Sequence, residues 1–143
     1  FKDIKEHQIK NIVKKVIKLL SSQNFIVWLE GPLGVGKTTL TKYILLGLGL
    51  EPNTPVLSPS FTYMTEYQIN NLWYAHLDLY RAVQNLDINE LGLLDYKEYK
   101  GIFIEWPTKI SNINQIYPTH IIEINFSNNI DTRNYSFSTI AKD

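Results

Sequence analysis

Apolar residues recur every three to four positions over residues 4–20, and this period predicts an amphipathic helix. The repeating positions are Ile9, Ile12, Val13, Val16, Ile17 and Leu20. The segment SSQN interrupts the pattern, and the continuous apolar run FIVWLE at residues 25–30 predicts a buried strand. A second helix is predicted over residues 37–47, where the sequence GLG ends it.

The second half of the chain alternates short apolar runs with turn residues. Strands are predicted over residues 61–67, 72–80, 101–106, 119–126 and 134–140. The stretch INN predicts a hairpin turn between the first two of them, and the three prolines of EPNTPVLSPS predict a loop before them. Residues 85–99 have helical character, with Asp87 as a candidate N-cap and Glu90 three positions later. The order of elements predicts one α/β domain over residues 1–143.

Composition narrows the functional classes. Lys+Arg and Asp+Glu both number 14 in the 143 residues, and zero net charge argues against autonomous, non-specific binding of nucleic acid. The absence of cysteine excludes disulfides, cysteine–zinc sites and thiol catalysis. No apolar run approaches the roughly 20 residues that span a bilayer, and FKDIKEHQIK contains no signal-peptide core. We therefore expect a cytoplasmic protein without membrane contacts.

Lysine is concentrated near the beginning of the chain. The residues are Lys2, Lys5, Lys10, Lys14, Lys15 and Lys18. All of them except Lys2 lie on the polar face of the predicted helix, and we interpret them as a solvated surface rather than a patch that binds a partner.

The segment GPLGVGKTT at residues 31–39, here called the glycine-rich loop, matches the pattern G-x-x-x-x-G-K-[ST]. It lies between a predicted strand and a predicted helix, as phosphate binding requires. Glycines let backbone N–H groups surround phosphate oxygens, and the positive end of the following helix points at the same place. Lys37 would reach the β- and γ-phosphates, and the Thr38 hydroxyl would ligate Mg²⁺. The predicted nucleotide-binding residues of the loop are Gly31, Leu33, Gly34, Val35, Gly36, Lys37, Thr38 and Thr39.

This context predicts a P-loop NTPase-like three-layer sandwich with a mixed, mostly parallel sheet and terminal hairpins. Such an enzyme also needs a carboxylate at the end of a core strand to hold Mg²⁺. Glu105 ends IFIE, and Asp78 lies in HLD. Both acids remain candidates. We interpret His76, two residues before Asp78, as a structural histidine.

Several classes of P-loop protein are excluded or disfavoured. The chain contains neither the N-K-x-D tetrapeptide that reads guanine nor the D-x-x-G tetrapeptide of GTPase switches. Arg81 and Arg133 are its only arginines, whereas a small-molecule kinase surrounds the transferred phosphoryl group with several cations. A minimal ATPase with an incomplete catalytic set fits best.

Five stretches together resemble the TsaE (YjeE) family of bacterial P-loop ATPases, which serve threonylcarbamoyl modification of adenosine in tRNA. The stretches are GPLGVGKTT, SPSFTY, HLDLYR, LGLLDY and IEWP, in the family's order and approximate spacing over residues 31–107. The final predicted hairpin also fits. One departure is Ser60, which stands where the family usually has threonine and keeps the hydroxyl. The N-terminal helix resembles the family least.

The resemblance implies specific roles for the candidate acids. The glycine-rich loop would bind ATP phosphates, and Thr38 and Glu105 would hold Mg²⁺. Asp78 would lie near the γ-phosphate and order the attacking water. Together with Lys37, the two acids form the implied catalytic set.

Other roles also follow from the resemblance. Residues 58–62, which include Thr62, are similar to the family's mobile switch loop. Trp106 would flank the site, and Arg133 matches a basic position near the nucleotide in the final hairpin. The implied partner is the TsaB–TsaD complex, and tRNA would be reached indirectly through that complex.

We therefore expect a Mg²⁺-dependent ATPase that is slow alone and drives turnover of the TsaB–TsaD machinery. Two alternatives remain open. One is a phosphotransferase that acts on a small metabolite, and the other is a nucleotide-binding interaction module that does not hydrolyse its ligand.

Overall fold

The described residues form a seven-stranded sheet with two helices. The computed structural model describes residues 1–59, 62–82, 87–91, 96–109 and 116–140. The strands are β1 (Ile4–Lys5), β2 (Phe25–Glu30), β3 (Met64–Ile69), β4 (Leu72–Asp78), β5 (Gly101–Glu105), β6 (His120–Phe126) and β7 (Thr132–Thr139). The helices are α1 (Ile9–Leu20) and α2 (Lys37–Leu48). The sheet order is β1-β7-β6-β2-β5-β4-β3.

Parallel strands occupy the centre of the sheet, and antiparallel pairs occupy its margins. β2 pairs in parallel with both β5 and β6, and β4 pairs in parallel with β5. The hairpins β3–β4 and β6–β7 and the pair β1–β7 are antiparallel. Only β3 and β7 run against the common strand direction. The predicted mixed, mostly parallel α/β sheet with hairpins towards its margins is therefore confirmed.

Both helices cover one face of the sheet. α1 buries Ile9, Ile12, Val13, Val16 and Leu20, as its apolar period predicts. α2 packs against α1 and contributes Leu40, Ile44 and Leu45, which join Val27, Phe103 and Ile122 of the sheet in one core. Complete burial of such a side chain contributes about 1.5–3 kcal/mol of transfer free energy. The core therefore fixes α2, and with it the loop that precedes α2.

The opposite face carries a second, smaller core. Ala75 and Leu77 of β4 meet Ile102 and Ile104 of β5 there, and Tyr99 packs over them. In the part of the chain that the structure describes, this face is covered by loops and short 3-10 turns rather than by α-helices.

The predicted first helix begins too early in the sequence. Residues 4 and 5 form β1, Glu6–Gln8 form a 3-10 turn, and α1 starts at Ile9. The backbone of β1 pairs with Arg133 and Thr132 at the margin of β7. This pairing with a distant strand overrides the local helical period.

Other boundaries differ by a few residues. β3 begins at Met64 rather than 61, and Tyr63 before it has a left-handed φ of 63°. The predicted turn is present, with Asn70 and Asn71 both at positive φ, as a tight hairpin requires. Within 85–99, the structure describes 3-10 turns at Ile88–Leu91 and Tyr96–Glu98, and the remaining residues of that prediction lie outside the described residues. The Asp87 side chain accepts a hydrogen bond from the Asn89 N–H at 2.9 Å, which satisfies the predicted cap.

α2 ends one residue later than predicted, at Leu48. Gly49 has a φ of 116°, and the N–H of Leu50 donates to the carbonyl of Leu45 at 3.0 Å. This left-handed glycine cap satisfies the last helical carbonyls. None of the helices within the described residues is long and apolar enough to cross a membrane.

His120 at the start of β6 should make stability depend on pH. It is 3% exposed, and burial lowers its pKa below the usual value. Below about pH 6.5 the unfolded chain then binds more protons than the folded chain, so stability should fall between pH 7.5 and 5.5. Urea unfolding at both values should show a smaller fall for His120→Asn, whose amide can replace Nδ1 beside Thr119. Equal falls in the two proteins would contradict this assignment.

Candidate functional site

The glycine-rich loop joins the end of β2 to the beginning of α2. Gly34 and Gly36 have φ of 78° and 114°, in the left-handed region that favours glycine. Apart from the adjoining residues of the loop and the backbone of α2, no described atom lies within 4 Å of a Cβ built at either position, so this side of the loop is open to a ligand. Gly31 is pressed against β6, and a Cβ there would collide with the carbonyl oxygen of Ile124. The loop therefore rests on the sheet and turns its open side towards the N-terminus of α2.

The ammonium group of Lys37 is buried at the mouth of the glycine-rich loop. Its Nζ donates to the carbonyl oxygens of Gly31 at 2.6 Å and Pro32 at 3.1 Å, and it lies 4.1 Å from the ring centroid of Trp106. Burial lowers the Lys37 pKa, while the carboxylates of Glu105 and Asp78 raise it. An anion that enters the loop would meet this cation directly.

Glu105 lies inside the protein at the end of β5, with only 3% of its surface exposed. Its Oε2 accepts a hydrogen bond from Thr38 Oγ1 at 2.7 Å and lies 2.6 Å from His76 Nε2. Because an ionised carboxylate only accepts, Nε2 carries the proton in this contact. His76 is completely buried, and its Nδ1 has no hydrogen-bond partner among the described residues. The histidine interpreted as structural is thus in direct contact with a candidate metal ligand.

Asp78 lies at the end of β4, beside Glu105 in the parallel register. Its Oδ2 accepts a hydrogen bond from Ser58 Oγ, and its Oδ1 accepts one from the backbone N–H of Tyr80 at 3.0 Å. The first contact ties the proline-rich segment before residue 60 to the sheet. The second fixes the carboxylate orientation from its own turn.

These groups line a cavity of about 420 Å³. The residues predicted from the sequence that line it are Leu33, Gly34, Gly36, Lys37, Thr38, Thr39, Asp78, Glu105 and Trp106. Two lining residues were not predicted, Tyr80 and Arg81, and a third, Ser58, was predicted only as part of the switch loop 58–62, of which residues 60 and 61 lie outside the described residues. The sequence analysis assigned no role in the site to Arg81, whereas the turn after β4 brings it to the cavity. The signal for it was the stretch HLDLYR.

A second cavity of about 730 Å³ adjoins the first, since Gly34, Gly36 and Thr39 line both. Its outer wall includes His7 before α1 and Tyr43 of α2. It also includes Val35 and Arg133.

Arg133 braces the glycine-rich loop from β7. Its Nε donates to the carbonyl of Val35 at 3.0 Å, and its guanidinium lies 4.7 Å from the ring centroid of Phe126. It therefore supports the loop from the second cavity. Thr62 instead donates its hydroxyl to the carbonyl of Met64 at 3.1 Å and lines neither cavity.

The oxygen donors suit a hard cation that keeps most of its water ligands. The described residues contain no group of three His, Asp or Glu side chains that could enclose a metal by themselves. Thr38 and Glu105 instead offer adjacent oxygens at the open side of the loop. Mg²⁺ is commonly bound by one or two protein oxygens together with phosphate and water. The site therefore fits Mg²⁺ that arrives with a phosphorylated ligand.

Sequence comparison finds similarity between this chain and a known protein family. The sequence model of the family described as threonylcarbamoyl adenosine biosynthesis protein TsaE matches residues 4–135. The chain is 36% identical over 126 residues to the tRNA threonylcarbamoyladenosine biosynthesis protein TsaE of Haemophilus influenzae, covering 87% of this chain and 77% of that protein. It is also 36% identical over 120 residues to the protein of that name from Rickettsia bellii, covering 84% and 80% respectively.

Structural comparison agrees. The crystal structure of Bacillus subtilis YdiB aligns with 99% of this chain and 84% of its own, with a TM-score of 0.70 and 26% sequence identity. This similarity in fold is consistent with the sequence matches.

The contact between His76 and Glu105 can be tested by a double-mutant cycle. His76→Leu leaves a buried carboxylate without one of its donors, which should reduce the free energy of unfolding by about 1–3 kcal/mol or more. In the Glu105→Gln background the same substitution should have a smaller effect, because the stranded charge is gone. Urea unfolding of the four proteins gives the coupling energy. Additive effects would show that the two side chains do not interact.

Proposed function

The chain belongs to the TsaE family of threonylcarbamoyl adenosine biosynthesis proteins, and on that premise we propose that it is a Mg²⁺-dependent ATPase. The observation that carries the proposal is the 2.7 Å contact between Thr38 Oγ1 and Glu105 Oε2 at the open side of the glycine-rich loop. A hydroxyl at the start of the helix and a carboxylate at the end of a neighbouring strand are the two protein groups that hold Mg²⁺ in P-loop NTPases.

The glycine-rich loop would hold the phosphates of ATP. The positive φ of Gly34 and Gly36 leaves backbone N–H groups accessible, and the N-terminus of α2 adds its dipole. Lys37 lies at the same mouth and can move from the carbonyls of Gly31 and Pro32 to phosphate oxygens. A phosphate offers that ammonium group a full negative charge in place of two carbonyl dipoles, which favours the exchange.

The nucleoside would occupy the second cavity. This cavity shares Gly34, Gly36 and Thr39 with the first, so a ligand with phosphates in one can extend into the other. Tyr43 and His7 supply ring surfaces for the base. Arg133 would hold the loop in shape from this side through its bond to the Val35 carbonyl.

Hydrolysis would depend on positioning and charge rather than on a covalent intermediate. Thr38 and Glu105 would hold Mg²⁺, which when bound neutralises charge on the β- and γ-phosphate oxygens. Asp78 would orient the attacking water, since its carboxylate lines the same cavity and is fixed by Ser58 and the Tyr80 N–H. Lys37 would stabilise charge that develops on the γ-phosphoryl group.

The cellular role follows from the family. Its members carry the name of tRNA threonylcarbamoyladenosine biosynthesis, and we propose that ATP hydrolysis by this chain drives turnover of the TsaB–TsaD complex. On this proposal the chain meets tRNA only through that complex. Its zero net charge fits such an indirect role.

Lys37→Ala should weaken ATP binding by about ten- to a hundredfold while leaving the fold intact, because a charged hydrogen bond to phosphate is lost. Isothermal titration calorimetry with ATP and Mg²⁺ measures the effect, and circular dichroism checks the fold. Lys42→Ala is the matched control, since Lys42 is exposed on the same helix and lines neither cavity. Equal affinities for both variants would exclude the loop as the phosphate site.

The two acids should differ in their effects. Glu105→Gln should weaken the Mg²⁺ dependence of nucleotide affinity more than Asp78→Asn, because Glu105 contacts Thr38. Asp78→Asn should retain most nucleotide affinity and lose hydrolysis, because its role is to orient water. The measurements are a Mg²⁺ titration of ATP affinity and phosphate release at saturating ATP. The reverse ranking would exchange the two roles.

Phosphate release by the chain alone should be slow, and the TsaB–TsaD complex should raise it by about tenfold or more. Arg81 lines the cavity but is exposed in a turn, so a partner is expected to order it or to supply another cation. Arg81→Ala separates these possibilities, because stimulation survives only if the partner supplies the cation.

Two other outcomes would favour the alternative functions. A tight nucleotide complex without phosphate release, with or without the TsaB–TsaD complex, would favour a non-hydrolysing module. Acceleration of ATP consumption by a small hydroxyl compound would favour a phosphotransferase.

A further inference from the structure

A third cavity, of about 950 Å³, lies between α1 and α2 and shares only Tyr43 with the lining of the proposed nucleotide site. Its floor is apolar and is formed by Val13, Ile17, Leu46, Leu50 and Pro52. Its rim carries five exposed lysines: Lys10, Lys14, Lys15, Lys18 and Lys42. We call this feature the lysine groove.

No ion pair within the described residues neutralises the lysines of the groove, although Glu51 lies in the sequence between its lining residues Leu50 and Pro52. α1 and α2 contain no acidic residue, and none of the five lysines forms an ion pair with a described carboxylate. Glu6, just before α1, accepts a hydrogen bond from the Tyr43 hydroxyl at 3.2 Å instead. Since the chain as a whole is neutral, the charges are segregated, with this face positive. Such a field attracts an anionic partner and orients it on approach.

The apolar floor distinguishes this surface from an ordinary solvated helix face. The pattern of lysines alone favoured the solvated interpretation. The structure adds Ile17 and Leu46, which are only partly covered and line the same groove as the lysines of α1 and Lys42 of α2. A groove with an apolar centre and a charged rim is the geometry that receives the apolar face of an amphipathic helix.

We propose that the lysine groove binds an acidic amphipathic helix of a partner protein. Glutamates or aspartates on that helix would face Lys10, Lys14 and Lys18, which follow one another at four-residue spacing along α1. Apolar residues of the helix would cover the floor. A nucleic-acid backbone would satisfy the lysines but leave the floor exposed, and a concave groove does not lie flat on a bilayer. This proposal does not depend on ATP binding or hydrolysis.

The test uses the full chain and a fluorescein-labelled synthetic helix of about 18 residues, with a stripe of leucines flanked by glutamates. Fluorescence anisotropy should show binding that Lys14→Glu/Lys18→Glu weakens by about tenfold or more, since two favourable charge contacts become repulsive. Lys2→Glu is the control, because Lys2 is exposed and lies outside the groove. It should change the affinity by less than about twofold, as expected for one remote, screened charge.

Two further probes distinguish an amphipathic helix from ligands that carry only negative charge. A peptide with serine in place of leucine keeps the charge and should bind at least about tenfold more weakly, because it cannot cover the floor. A single-stranded RNA of similar charge should also bind more weakly. Equal or tighter binding of either probe would overturn the proposal, as would an unchanged affinity in the double variant. So would a dimer of the chain that sedimentation velocity detects and the double variant abolishes, since the occupant would then be a second copy.

Failure of this test is distinguishable from failure of the proposed function. Lys14 and Lys18 line neither the first nor the second cavity, so the double variant should bind Mg²⁺-ATP as the unaltered chain does. Calorimetry on the same preparation checks this. Loss of both ligands together would indicate a damaged fold, and a double variant with Lys→Gln in place of Lys→Glu then repeats the measurement. If Lys14→Gln/Lys18→Gln binds Mg²⁺-ATP normally and leaves peptide binding unchanged, the proposal is wrong.

Discussion

The parallel pairing of β5 with β2 on one side and β4 on the other is the constraint on which the site depends. In this register Glu105 lies beside Leu29 and Asp78, so three strand ends meet at one edge of the sheet. Open α/β sheets bind ligands at such carboxyl ends, next to a change in strand connection. A register shift of one residue would turn Glu105 to the opposite face, away from Thr38. The chemistry of the site is therefore decided by backbone pairing before any side chain is considered.

The parallel pairing of β5 with its neighbours also buries the two charged groups of the site, Glu105 and Lys37. Glu105 and Lys37 are both almost inaccessible, and a buried charge is tolerated only when it is paired and hydrogen-bonded. Glu105 is hydrogen-bonded to Thr38 and His76. The Lys37 ammonium group donates to two loop carbonyls and lies over the Trp106 ring. Glu105 and His76 lie on strands, and Lys37 and Thr38 lie in the first turn of α2. Rigid placement of this kind gives a site its geometry before a ligand arrives.

Sequence periodicity located the elements whose apolar pattern lies within one continuous segment. α1, α2, β2 and β5 lie within a few residues of their predicted positions, and the glycine-rich loop was recognised by its spacing. Features that depend on distant pairing were missed. Ile4 and Lys5 are a strand only because β7 is beside them, and the His76–Glu105 contact exists only in one register of β4 and β5. Arg81 reaches the cavity through a turn, for which the sequence carries no periodic signal.

The contact of Gly31 with β6 determines when the glycine-rich loop can fold during synthesis. The glycine-rich loop rests on the Ile124 carbonyl, and Val27 of the strand before the loop pairs with His120. These partners are separated by most of the chain, and contacts of such long range form slowly because closing a large loop is entropically unfavourable. A ribosome-bound chain that has emerged only as far as α2 contains the whole sequence motif and lacks its support. The motif thus becomes a preorganised structure only after β6 and β7 have been synthesised.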